Sequence, residues 1–276
     1  MRYDLATLAR RVRNPRRKSI TVRDIVPPAV LAGDLYTACY RPVVVLWSRA
    51  GDRIAAEYER TLSALTTDTA DDLRSILDEA AAEFQRLFLL LGPALDRWAW
   101  SVESWQRGRF RGAVLSATGV DIQTLIGPES VRDTVGGFIE WNTALIKEVS
   151  AQTSQKISNA VFTGLTQRRT AAEVAKDIRE ATGFARDRSR RVASDQLAKI
   201  TGSLAEERQR EAGITTVEWR WSGKLHPRAW HKARNGVIYD LETHTPVDGG
   251  EPVERGDWAG QPPWCGCRTL AVISWD

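Results

Sequence analysis

The stretch Trp219-Arg-Trp-Ser-Gly-Lys-Leu-His-Pro-Arg-Ala-Trp-His-Lys-Ala-Arg-Asn-Gly-Val-Ile-Tyr239, with Gly260-Gln-Pro-Pro-Trp-Cys-Gly-Cys-Arg268 after a loop, decides the reading of this chain. Trp219 to Cys267 holds all three histidines, two of the three cysteines and five of the eleven tryptophans. Residues able to bind a metal or fill a small core are concentrated there. The surrounding texture is β-like: Thr215 to Trp221 alternates, and Val237–Tyr239 and Thr269–Ser274 read as further short strands. Pro246, Gly249, Gly250, Pro252, Gly256, Gly260, Pro262 and Pro263 make the connecting loop irregular.

Upstream, the apolar residues follow helical spacing instead. Residues 34 to 66 place Tyr40, Val44, Trp47, Ile54 and Tyr58 inward, with Pro42 near a helix start. Thr69 can cap the next helix, and Asp71 and Asp72 suit its N-terminus. Leu73, Ile76, Leu77, Ala80, Phe84, Leu87, Phe88 and Leu91 recur at steps of three and four, and Gly92-Pro93 is expected to end that helix. A helix from Ala94 to about Phe110 is expected to bury Leu95, Trp98, Val102 and Trp105. Another runs from about Glu129 to Val149, weakened by Gly136-Gly137, and a further one ends near Gly164. Thr170-Ala-Ala-Glu173 is a capping box opening a helix to about Thr182. The last helix is expected from about Arg186 to Ala212, stopped by Gly213. The carboxylates read as solvated helix faces.

The fold class expected is therefore mainly α: an elongated helical body with a small α+β C-terminal module. Residues 1–28 form a basic N-terminal arm, 29–183 the helical body, and 184–276 a module of one long helix and a small β-containing knob. The chain has 276 residues, an ordinary apolar fraction of 42% and a net charge of +4. That charge permits contact with nucleic acid without demanding it. No window shows the roughly 18 unbroken apolar residues of a membrane span, so no membrane partner is expected. No apolar core of signal-peptide type follows the basic N-terminus, and a cytosolic location follows from that reading. Three cysteines are too few for a disulfide scaffold, and Cys39 reads as a small buried hydrophobe.

Arg10, Arg11, Arg13, Arg16, Arg17 and Lys18 give the arm its charge. Such a run is either a solvated face or a tether to DNA or an acidic protein surface. In the knob, His226, His231, Cys265 and Cys267 form a four-ligand set for a structural zinc, which accepts imidazole nitrogen and thiolate sulfur tetrahedrally. The C-x-C bite is tighter than the common C-x2-C. The competing reading packs reduced cysteines against Trp264 and Trp275, with His231 hydrogen-bonded in place. No P-loop, dinucleotide-binding or zinc-deaminase motif is present.

From Ser194 onward the order of residues resembles the phage Mu F-like minor head protein, or head morphogenesis, family. The matching pieces are Ser194-Asp195-Gln196, Lys199 and Gly202; Arg208 through Ile214; Glu218-Trp219-Arg220; Arg228, His231, Arg234 and Gly236; and Gln261-Pro262-Pro263 leading into Cys265-x-Cys267-Arg268. Asn142 to Lys147, followed by Ile157 and Val161, resembles the helical region before that domain. Lys224 stands where the family tends to have an acid, His226 where it often has Arg, and Gly266 in place of the Arg of C-R-C. The resemblance implies a structural virion protein inside the head near the portal vertex, present in host cytoplasm during assembly. Its implied partners are the portal protein, the major capsid or scaffold protein, and packaged DNA. The alternatives are a metal-dependent nuclease or hydrolase centred on His231, and a zinc-stapled DNA-binding protein.

Overall fold

The computed structural model describes residues 3–10, 18–64, 69–225 and 228–275. The helices are α1 (Leu5–Ala9), α2 (Ala29–Leu35), α3 (Arg41–Ala64), α4 (Thr69–Thr118), α5 (Arg132–Gln167), α6 (Ala171–Glu211) and α7 (Ala229–Ala233). The strands are β1 (Ser19–Thr21), β2 (Thr216–Arg220), β3 (Ile238–Asp240) and β4 (Arg268–Ser274). The protein is mainly α with a small α+β C-terminal module. It divides into two compact units, discontinuous in sequence. One comprises residues 1–31, 99–138 and 194–276; the other comprises 32–98 and 139–193. This differs from the three consecutive segments expected.

In the second unit a π-helical turn, Tyr36–Tyr40, joins α2 to α3. Ala29–Leu62 is long and apolar enough to cross a membrane by length and composition alone, although charged residues such as Asp34 and Arg41 interrupt it. Its polar groups have interior partners. The Tyr40 hydroxyl donates to Asn142 Oδ1 at 3.2 Å, Trp47 Nε1 to Ser150 Oγ at 2.8 Å, and the Tyr58 hydroxyl to the Arg169 carbonyl at 2.9 Å. Buried polar groups cost free energy unless paired, so these bonds mark a packed core face. Cys39 is fully buried, and burial raises its thiol to about 11.

Three expected helix boundaries are absent. Pro93 lies inside α4, which continues to Thr118. A proline within a helix deprives the carbonyl four residues back of its donor. Here that residue is Leu89, which is 76% exposed, so water can serve its carbonyl. The end expected near Val149 is absent as well: α5 runs unbroken to Gln167, with Gly136-Gly137 inside it. The capping box forms as expected: Glu173 accepts from Thr170 N–H at 2.9 Å, and Glu173 N–H donates to Thr170 Oγ1 at 3.3 Å. The helix it opens does not stop at Thr182 but runs to Glu211.

In the first unit the four strands form an antiparallel sheet in the order β1-β4-β2-β3. β2 pairs with β4 from Thr216 opposite Val272 to Arg220 opposite Arg268. The segment expected to be only a basic arm contributes to this core: Leu5, Ala9 and Val22 are buried with Phe110, Val114, Ala271 and Ile273. α6 ends where expected. Gly213 takes φ +69°, Ile214 N–H bonds the Gln209 carbonyl at 3.0 Å, and Gly213 N–H bonds the Arg210 carbonyl at 3.1 Å. This is the 6→1 and 5→2 pattern of a glycine-terminated helix. A Cβ at Gly213 would lie 2.8 Å from the Tyr3 carbonyl oxygen, so backbone packs where a side chain would stand.

The carboxylates are not all solvated, which corrects the sequence reading. Arg208 is fully buried and bonds Glu103 at 2.7 Å, Glu211 at 3.0 Å and Ser130 Oγ at 2.8 Å. Arg107 adds a second cation to Glu103 at 3.1 Å. Buried charges persist only when paired in this way.

Candidate metal centre

The knob is built around an aromatic cluster. Trp219, on β2, lies edge-on to Trp258 with centroids 5.5 Å apart and to His231 at 5.1 Å; Tyr239, on β3, is 5.9 Å away. Val217, Leu241, Val253, Cys265 and Cys267 complete this small core. Such aromatic pairs contribute about 0.5–1.5 kcal/mol each beyond area burial. The ring of His231, on α7, is therefore packed as a core residue while its two nitrogens remain polar.

Those nitrogens have distinct partners. Nε2 lies 2.9 Å from Asp257 Oδ1, and Nδ1 lies 3.2 Å from Cys265 Sγ. Asp257 also accepts from Arg234 Nη1 at 2.6 Å and from Trp230 Nε1 at 3.1 Å. Partial burial alone would raise the Asp257 carboxyl. The hydrogen bonds from His231, Arg234 and Trp230 outweigh it and hold the group down at about 2. An ionised carboxylate only accepts, so Nε2 carries the proton and Nδ1 presents its lone pair to the sulfur side. A carboxylate behind an imidazole, fixing tautomer and ring orientation, is the arrangement that supports a metal-ligating histidine.

The cysteines sit on a constrained turn. Trp264 and Gly266 take φ +63° and +68°. Trp264 is clamped at both peptide groups: its N–H donates to Asp195 Oδ1 at 2.6 Å, and its carbonyl accepts from Lys224 Nζ. Asp195 in turn pairs with Lys199 at 3.0 Å, and both side chains are buried. Long helix α6 thus positions the C-x-C turn. A Cβ at Gly266 would meet Lys224 Cε at 3.1 Å, so glycine suits both the backbone angle and the space. The hydrogen bond from the Cys267 thiol is the largest influence on Cys265. With backbone N–H groups of Cys267 and Gly260 it lowers that thiol to about 5, against the opposing effect of burial. The same bond and burial push Cys267 up.

The structure brings together His231, Cys265 and Cys267, all buried, with ligand atoms within 4.8 Å of one another. Tetrahedral zinc with Zn–N of about 2.0 Å and Zn–S of about 2.3 Å separates its ligand atoms by about 3.5–3.8 Å, within that spread. The three line a cavity of about 20 Å³ with Trp221, Ser222, Lys224, Arg228 and Trp264. That is room for about one water or one ion. The donor set fits zinc. His226, the fourth expected ligand, lies outside the described residues, as do Arg11, Arg13, Arg16 and Arg17. Arg10 and Lys18 are described and exposed. Trp264, expected beside packed thiols, is 46% exposed.

Sequence reasoning did not select Asp257, which closes a short 3-10 turn, Arg255–Asp257, far along the chain from His231. Nor did it give Lys224 a role; its ammonium reaches the Trp264 carbonyl. Asp195 and Lys199 were visible only as parts of a motif series. Their separation of one helical turn is a signal for an ion pair, but not for where that pair is anchored.

Residues 155–270 match the family model described as phage Mu protein F like protein. This range contains His231, Asp257, Cys265 and Cys267, together with Asp195 and Lys199. An uncharacterized protein of Haemophilus influenzae is 25% identical over 157 residues, covering 56% of this chain and 33% of that protein. The chain thus spans about a third of the length of that curated relative. No solved structure matches.

Proposed function

We propose that this chain, phage Mu F-like over residues 155–270, is a structural minor head protein of a phage virion. In this reading it lies inside the head near the portal vertex and assists head assembly and the packaging or ejection of DNA. Portal protein and the major capsid or scaffold protein are its partners. The observation that carries the reading is the family match, which spans all of α6 and the knob as far as the start of β4, including the Asp195–Trp264 link between them.

The knob then acts as a stabilised fixture on a helical adaptor, not as a reaction centre. Zinc held by His231, Cys265 and Cys267, with His226 as fourth ligand, would tie α7 to the C-x-C turn. Metal binding of this kind contributes folding free energy directly. Asp257, His231 and Cys265 also line up as a carboxylate–imidazole–thiol relay, the geometry a nucleophilic cysteine uses. A hydrolase centred on His231 is therefore the second reading. A cavity of about 20 Å³ favours the first, because it holds an ion and not a substrate.

Co-sedimentation with assembled portal oligomers and with capsids tests the head-protein role. The reading predicts that the protein travels with them; purified protein that binds neither contradicts it. Incubation with DNA and divalent metals, beside a His231→Ala control, tests the second reading, which requires cleavage that the control lacks.

A further inference from the structure

Trp105 was expected in the core, yet it is only half-buried. With Arg23, Asp24, Ile25, Val26, Pro28 and Arg109 it lines a surface pocket of about 340 Å³. Small-molecule sites begin at about 300 Å³, so one nucleotide-sized group fits.

The floor and walls differ in chemistry. Trp105, Gly108, Arg109 and Gly112 follow i, i+3, i+4, i+7 spacing and share one face of α4. The two glycines leave the helix backbone open between the indole and the guanidinium groups. Arg23 lies against this face: a Cβ at Gly112 would sit 3.6 Å from its Nη2. Val22 N–H bonds the Ala271 carbonyl at 2.8 Å, so Arg23 projects from chain held to the sheet. Arg23 and Arg109 are exposed, and among the described residues no carboxylate pairs with either. The one acid in the pocket, Asp24, is occupied by Arg268 through two bonds of 2.6 and 2.7 Å. What remains is an apolar ring flanked by two uncommitted guanidiniums.

That combination recognises a planar ring carrying negative charge. Unpaired bases stack on aromatic side chains without regard to sequence, and arginines bind the neighbouring phosphates. A base inside a duplex offers no free face to an indole. The cations continue along the chain: Lys18 lies five residues before Arg23, and its carbonyl accepts Trp275 N–H at 3.1 Å. Five extended residues span about 17 Å, the reach of a few nucleotides.

We propose that Arg23, Trp105 and Arg109 form a binding site for single-stranded DNA, with one base on the Trp105 indole and its flanking phosphates on the two arginines. The site extends the DNA contact of the head-protein reading but does not depend on a place in the virion. It is tested on purified protein with free oligonucleotides, so its failure leaves the capsid and portal tests untouched.

The experiment is fluorescence anisotropy of a labelled thymidine oligomer and a labelled duplex, at several salt concentrations, with the full chain. Trp105→Ala is expected to weaken the oligomer about tenfold or more and to leave the duplex unchanged. Trp105→Phe keeps a stacking ring and is expected to bind within a few-fold of the parent. Replacing Arg23 and Arg109 together by Ala is expected to lower the salt slope by about 1.4, the value for two phosphates on a single strand. These arginines are exposed and, among the described residues, pair with no carboxylate, so this pair also tests the site should Trp105→Ala fold poorly. Three results would overturn the proposal: no oligomer binding by the parent, unchanged binding in the arginine variant, or displacement of the oligomer by a poly-glutamate peptide at equal charge concentration. The last would assign the pocket to an acidic protein partner.

Discussion

Asp257 Oδ1 sits 2.9 Å from His231 Nε2 and so decides which imidazole nitrogen faces Cys265. Asp257→Asn removes the charge that fixes the tautomer while nearly keeping the shape. Losing an outer partner of this type lowers metal affinity by about 10- to 100-fold. Competition with a chromogenic chelator reads the loss, and His226→Ala measured alongside tests the fourth ligand. Unchanged affinity in the Asp257 variant would remove the carboxylate from the site.

Asp195 links α6 to the C-x-C turn through Trp264 N–H while neutralising Lys199, whose side chain is only 7% exposed. Asp195→Ala therefore removes a carboxylate from beside a buried ammonium as well as breaking the clamp. A cost of about 3–5 kcal/mol is expected from urea unfolding at neutral pH. Adding Lys199→Met should recover part of it, because the buried positive charge is removed as well. No recovery in the double variant would mean that the Trp264 bond carries the effect.

Arg208 has no exposed surface and serves both Glu103 and Glu211. Arg208→Ala leaves Glu211 without this cation and Glu103 with Arg107 alone, and is expected to cost about 3–5 kcal/mol. Arg208→Lys, which keeps a cation but loses the fork that reaches both carboxylates, should cost less. An equal cost in the two variants would indicate that the shape of the side chain, and not its charge, carries the effect.

Much of this was legible in sequence, and the misses share a cause. Gly213 was readable as a stop because glycine is the residue that most readily takes the left-handed angle ending a helix. The capping box at Thr170 was readable because both of its bonds are local. The grouping of His231, Cys265 and Cys267 was readable because these residue types are scarce in the chain and concentrated in one stretch, and the structure places their ligand atoms within 4.8 Å of one another. Gly92-Pro93 misled because it weakens a helix locally, whereas the buried Leu91 and Leu95 on either side hold α4 together. Glu103 and Glu211 looked solvated because their shared cation, Arg208, is a non-local partner for Glu103. Trp105 looked like core because helical spacing identifies a face without showing whether anything covers it.

His244 stacks on Trp258 with centroids 4.0 Å apart and takes φ +58°. Burial is the largest cause lowering its pKa from 6.5, with Arg255 and Arg210 acting in the same direction. The folded state therefore disfavours the proton. The neutral ring's contribution is full above the unfolded value of 6.5 and is lost as pH falls from there toward the lower folded value. His244→Asn, which tolerates the left-handed angle, should flatten the decline in melting temperature between about pH 7 and 5.5. Parallel curves would exclude His244 as the source.

Zinc content tests the closed metal centre most directly. Protein purified without chelator and submitted to elemental analysis should carry about one equivalent of zinc per chain, falling to background in a Cys265→Ser, Cys267→Ser variant. Less than about a tenth of an equivalent in the parent, with zinc present throughout expression, would contradict the account. It would leave His231 and the two thiols as packed core.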